Sequence, residues 1–221
     1  MSSEETVFQY IKNAIIENRL PPGTRLREQK LAEIFGVKRG LVRKVLAALI
    51  NEKLVDHQQN IGAQVAIPSL KDGQDLFATR QIMEQAVIQN LCQSITDKQI
   101  TFLRKCLKKE QWAYQQGDHK KGLSLSIKFH KELARLTGNR VLEEFLNEII
   151  NRTPLVILSQ LGKNPPNSCI NHEHIDIVEA LAQRDSSAAI NLMKQHLSHL
   201  ENMFSIRPEQ ITPNLSEVFN T

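Results

Sequence analysis

The sequence predicts a mainly α-helical protein in two parts. The first is an N-terminal winged helix-turn-helix with a small β-hairpin. The second is an all-helical antiparallel bundle of about six helices. Three observations predict this. Apolar residues recur at three- and four-residue spacing along most of the chain, the period of amphipathic helices. Gly36 separates two short segments of that period, as in two helices joined by a tight turn. Apolar pieces at Leu54-Val55 and at 63–67 flank a polar stretch holding Asn60 and Gly62, both turn formers. The expected boundaries are 1–68, 69–206 and a loose C-terminal tail over 207–221.

The first helix is expected over about 4–18, with Val7, Tyr10, Ile11, Ala14 and Ile15 as its apolar stripe. Pro21, Pro22 and Gly23 then form a turn. A short helix over 28–35 turns Leu31, Ala32 and Phe35 inward, and Val37 fills the turn core. The helix over 38–51 faces in through Val42, Val45, Leu46, Leu49 and Ile50. The hairpin tip over 57–62 would carry His57, Gln58, Gln59 and Asn60 toward a duplex. Gly62 would allow close backbone approach.

The net charge of +4 says less than its distribution. Residues 1–70 hold ten Lys or Arg against seven Asp or Glu, whereas the remainder holds eighteen against seventeen. Lys38, Arg39, Arg43 and Lys44 fall within seven residues, the concentration a phosphate-contacting helix needs. Arg39 and Arg43 are four apart on one face, and Arg pairs well with guanine O6 and N7. Lys38 and Lys44 are read as phosphate contacts. Arg27 and Gln29 open the preceding helix and could touch the backbone there. Either recognition-helix arginine could equally pair with Glu28 or Glu33 on the surface.

Helices of the second part are expected over 72–92, 97–117, 120–137, 139–160, 168–183 and 185–205, broken by Gly117, Gly138 and Pro165-Pro166. Three histidines sit on apolar faces of these segments. His130 follows Leu123 and Ile127, His174 precedes Ile177, Val178 and Leu181, and His196 is flanked by Leu192, Met193 and Leu200. One such histidine is ordinarily a satisfied core residue. Three suggest an internal metal or effector pocket. Arg80 also lies on an apolar face, where a buried guanidinium demands a partner. Glu84, one turn on, is the simple partner; an anionic ligand is the other.

The run LREQKLAEIFGVKRGLVRKVLAALINEKL at 26–54, with IIENRLPPGTRL before it, resembles the winged helix-turn-helix of GntR-family bacterial transcription regulators. Lys38-Arg39-Gly40-Leu41-Val42-Arg43-Lys44-Val45-Leu46 stands where that family usually shows Ser-Arg-Thr-Pro-Val-Arg-Glu-Ala-Leu. Both arginines are kept. The lysine at 38 removes a capping oxygen and opposes the helix dipole. The runs FHKELARLTGN at 129–139 and HEHIDIVEALAQRDSSAAINLMKQHL at 172–197, with Arg80 and Glu84, resemble the FCD effector domain of the FadR-like branch. Six helices rather than seven put it closer to the VanR-like subgroup.

The resemblance implies a divalent metal held by an Asp and three histidines. Here these are His130, His174 and His196, with Ser126 at the Asp position. Zinc or nickel on three imidazoles, completed by water or a ligand carboxylate, is the expected form. The competing expectation is a metal-free pocket whose histidines bind an anionic effector directly. The effector implied is a small organic acid, clamped by Arg80 and bound near Ser126 and the histidines. The whole reading is a homodimeric repressor on an inverted-repeat double-stranded operator.

Two other functions compete. An effector-independent DNA-binding protein would carry the histidines as a structural metal site or a histidine core. A metal-dependent hydrolase would need a general base near the histidines, and Glu173, adjacent to His174, is expected to lean off the inward face. Cys92, Cys106 and Cys169 are odd in number and widely spaced, which fits a reducing cytoplasm better than a disulfide framework. No apolar run is long enough to span a bilayer, and the N-terminus lacks the pattern of a signal peptide.

Overall fold

The computed structural model describes residues 3–59, 62–161, 170–202 and 215–219. Three helices open the chain: α1 (Ser3–Ile16), α2 (Glu28–Phe35) and α3 (Arg39–Asn51). An antiparallel hairpin follows, β1 (Val55–Gln58) and β2 (Gly62–Val65), in register Val55 to Val65 and Gln58 to Gly62. The α2–α3 turn forms because Gly36 adopts a left-handed conformation (φ 61°) and donates its N–H back to the last carbonyls of α2. Lys38 caps α3 without a side-chain hydrogen bond, as expected of a residue lacking a short polar oxygen. The hairpin tip is tighter than the sequence suggested. His57 and Gln58 belong to β1, drawn in by pairing with Ala63 and Gly62. Asn60 lies outside the described residues.

Six helices build the second part: α4 (Leu70–Ser94), α5 (Asp97–Gln115), α6 (His119–Leu136), α7 (Arg140–Leu161), α8 (Ile170–Ala182) and α9 (Ser186–Asn202). Their starts are chemically marked. Ser69 with Asp72 and Thr96 with Gln99 form reciprocal capping boxes, and Asp118 and Asp185 accept from backbone N–H groups one turn on. The long helix α4 packs against α6, α7, α8 and α9, so it lies at the centre of the bundle. At Gly122 on α6 an added Cβ would stand 2.5 Å from the Tyr114 ring of α5, so α5 and α6 approach closely only because that position lacks a side chain.

Two apolar cores result. One lies within α4–α9. The other unites α1, α2, α3 and the hairpin through Ile11, Ile15, Leu31, Leu49, Leu54 and Val65. This second core also takes Leu155 from α7, so the two parts share a packed contact. The tail corrects an expectation. Residues 203–214 and 220–221 lie outside the described ones, but Leu215–Phe219 form a short helix, α10, rather than a loose extension. Leu215 is buried in the N-terminal core, the Phe219 ring lies 5.0 Å from that of Phe35 on α2, and Arg19 Nη1 donates to the Val218 carbonyl at 3.2 Å. Those apolar contacts, not local propensity, hold α10 in place.

Candidate functional site

The basic cluster is exposed along the first half of α3. Lys38, Arg39, Arg43 and Lys44 all face solvent, while Val42, Val45, Leu46 and Leu49 anchor the opposite side of the helix. Arg27 and Gln29 are exposed at the start of α2, where the Gln29 amide donates to Glu33. His57 is exposed on β1, and Gly62 opens β2 with φ 85°. Arg43 donates two hydrogen bonds to Glu28, from Nε and Nη2, each at 2.9 Å. Arg39 Nη2 approaches the same carboxylate at 3.6 Å. The hydrogen bond from Arg43 holds the Glu28 carboxyl below its ordinary range. Surface pairing and DNA contact were alternatives in the sequence. Here one acidic residue organises both arginines on an exposed face.

The three histidines meet. His130 from α6, His174 from α8 and His196 from α9 are all buried, because their helices turn those faces into the bundle core. Their Nε2 atoms converge: that of His196 lies 3.2 Å from that of His174 and 3.3 Å from that of His130. The Phe129 ring packs 4.5 Å from the His174 ring, closing one apolar side. Burial pushes His130 down to about 4 and His196 down to about 3, so both are neutral imidazoles near neutral pH.

Each ring is held from behind by a glutamate. His130 Nδ1 donates to Glu84 on α4. His174 Nδ1 lies 3.1 Å from both oxygens of Glu110 on α5, and His196 Nδ1 donates to Glu173 on α8 at 2.8 Å. Glu84 and Glu110 are themselves buried. Burial alone would raise the Glu84 carboxyl; the charge of Arg80 and the His130 contact outweigh it and hold it at about 2. Glu173 also lies low despite burial, because His196 and His199 hydrogen-bond it. His199, three residues beyond His196 on α9, is half exposed and bound to Glu173, away from the centre.

Arg80 is buried, donating from Nε to Glu84 Oε1 at 2.8 Å and from Nη1 to Thr153 Oγ1 at 3.3 Å, with its guanidinium 5.5 Å from the Phe77 ring. Nη2 lies against the same Glu84 oxygen as an ion pair at 2.5 Å, but makes no hydrogen bond of normal geometry. The simple partner expected for this arginine is therefore present. Ser126 is buried one turn before His130 on α6.

Glutamates are what sequence reasoning missed. The sequence points to Glu84 only as the partner of Arg80 and gives no role to Glu110, and Glu173 does not lean away but grips His196 and His199. The one available signal was Glu110 itself: it shares a helix face with Leu103 and Leu107, where an unpaired carboxylate would be costly.

Residues 3–65 match the family model for bacterial regulatory proteins of the gntR family, and residues 75–199 match that of the FCD domain. An HTH-type transcriptional regulator of Bacillus subtilis, YdhC, is 25% identical over 87% of this chain and 86% of its own. The HTH-type transcriptional repressor RspR of Escherichia coli is 24% identical over 93% and 90%. The solved structure of a GntR regulator from Rhodococcus sp. RHA1 superposes with a TM-score of 0.84 at 25% identity, covering 92% of this chain and 98% of that one.

Proposed function

Because the chain belongs to the GntR family of DNA-binding transcriptional regulators and carries an FCD domain, we propose an effector-controlled repressor with a metal-centred pocket. The family regulates transcription and is not enzymatic, so a hydrolase reading of the histidines falls away. Repression is favoured by RspR, a repressor aligned over nearly the whole chain. The six-helix bundle is our ground for placing it with the VanR-like FCD domains. No helix among the described residues is long and apolar enough to cross a membrane, which suits a cytoplasmic DNA-binding protein.

The observation that carries the pocket is the convergence of three Nε2 atoms in a buried centre. With each Nδ1 turned to a carboxylate, three nitrogen lone pairs point at one another, an arrangement that a cation relieves. Nitrogens bound at 2.0–2.1 Å to a tetrahedral ion stand about 3.3–3.4 Å apart. The separations of 3.2 and 3.3 Å suit that, and an all-imidazole set suits zinc or nickel. His130, His174 and His196 would hold the ion, which would act as a Lewis-acidic anchor for an anion. A small carboxylate would complete the shell near Ser126. Arg80, linked to His130 through Glu84, supplies positive charge on that side.

Arg39 and Arg43 are the proposed base readers, with Lys38, Lys44, Arg27, Gln29, His57 and Gly62 on the backbone. Two copies on an inverted repeat are needed for useful specificity. Ile82, Val141 and Phe145 are large exposed apolar residues on α4 and α7 that a second copy would cover.

The test uses the full chain stripped with chelator. Zinc is expected to raise its melting temperature. A panel of small organic acids is then screened with zinc present, on wild type and Arg80→Ala. Each hit is titrated against a duplex selected by the protein from a randomised pool. An acid that stabilises wild type more than the variant and weakens duplex binding supports the reading. No zinc shift counts against the metal. Hits that leave duplex affinity untouched point instead to an effector-independent DNA-binding protein.

A further inference from the structure

We propose that the negative charge balancing the ion in this chain is supplied from one shell outward, by Glu84, Glu110 and Glu173 behind the imidazoles, since position 126 offers no carboxylate. The inference rests on the metal reading above and concerns how the site works in this particular chain.

Position 126 is a serine, whose neutral hydroxyl is a poor ligand and carries no charge. A divalent ion on three neutral nitrogens in a buried centre would leave its charge uncompensated. The structure places a carboxylate behind every one of the three rings. Those carboxylates come from three different helices, α4, α5 and α8, so no single local motif produces the pattern. Three carboxylates against the single guanidinium of Arg80 leave two formal negative charges around the centre, the complement of a divalent cation. Each also fixes its imidazole as the Nδ1–H tautomer, which turns the Nε2 lone pair inward and raises its basicity.

Glu110 and Glu173 are thus positioning residues, acting through His174 and His196 without touching the ion. Glu84 has two duties, since it also neutralises Arg80. An outer-sphere arrangement of this kind selects metals that bind imidazole well. Zinc and nickel qualify, whereas manganese and magnesium prefer an oxygen ligand in direct contact.

The test measures zinc and manganese binding to full-length protein by competition with a chromophoric chelator. Wild type, Glu110→Gln, Glu173→Gln and Ser126→Asp are compared. The two Gln variants are expected to bind zinc about 10–100-fold more weakly. Ser126→Asp is expected to tighten both metals, manganese proportionally more, and to recover zinc affinity when combined with Glu110→Gln. Glu173 is partly exposed, so its variant is the one least exposed to misfolding. A readout that needs no variant is nitrogen NMR of the wild-type imidazoles, expected to show Nδ1–H tautomers at His130, His174 and His196. Gln variants that bind zinc as tightly as wild type, or Nε2–H tautomers, would overturn the proposal while leaving the metal reading intact. A wild type that binds no zinc would overturn both.

Discussion

Arg80 Nη1 donates to Thr153 Oγ1 at 3.3 Å, and two residues beyond Thr153 the same helix buries Leu155 in the core of the N-terminal domain. Arg80 binds Glu84, and Glu84 receives His130. A continuous set of buried contacts therefore runs from the histidine centre to the apolar core of the N-terminal domain. Pro154 sits within α7 between the two contacts, and Ser159 donates to the Pro68 carbonyl at the join between the domains.

This relationship makes α7 the expected route of coupling. Thr153→Val is expected to change zinc affinity less than threefold while reducing the effect of zinc or an acid on duplex affinity. Because linkage is reciprocal, the duplex should lose the same factor in its effect on zinc binding. Paired titrations measure both. Undiminished coupling would remove Thr153 from the route. Leu155→Ala should cost about 2–5 kcal/mol in urea unfolding, as for other buried leucines.

On the exposed face of α3, Arg39→Ala and Arg43→Ala are expected to lose about 1–3 kcal/mol of discrimination between base variants. Lys44→Ala should weaken all duplexes evenly and flatten the salt dependence. Glu28→Gln frees both arginines and removes a negative charge beside them. It should tighten random duplex more than selected duplex, so the specificity ratio falls. Titrations across salt on both duplexes separate these outcomes. A ratio that rises in Glu28→Gln would contradict a restraining role for that carboxylate.

Gly122→Ala sets two effects against each other. An alanine gains about 1 kcal/mol of helix propensity. Its Cβ would also meet three Tyr114 ring atoms at 2.5–2.7 Å, and overpacking of that kind costs about 1–3 kcal/mol. Net destabilisation is expected in chemical denaturation. Tyr114→Leu in the same chain should relieve it. A stabilised single variant would mean that the α5–α6 contact yields more readily than its spacing suggests.

The C-terminal helix offers the last prediction. Phe219→Ala removes the ring contact with Phe35 and should cost about 1 kcal/mol or more. Removal of residues 215–221 should cost more, since it also uncovers the apolar surface now shielded by Leu215. Thermal melts of the full chain and the truncation measure both. Equal melting temperatures would mean that α10 does not contribute to the N-terminal core.

Along the chain, local chemistry determined a great deal. The helix period, the capping residues Ser69, Thr96 and Asp185, and the left-handed Gly36 specified most elements because each acts within one turn of itself. The apolar faces around His130, His174 and His196 were legible for the same reason: a helix face repeats every three to four residues. The partners of those histidines were not. Glu110 lies 64 residues from His174 and Glu84 46 residues from His130, and only the packing of α4 and α5 against α8 and α6 brings them together. Nor could α10 be read, since five residues are too few to form a helix without the Phe35 surface to pack on. Local sequence settles which face a residue occupies; which faces meet depends on the burial of apolar surface over the whole chain, and that is decided only when the helices pack.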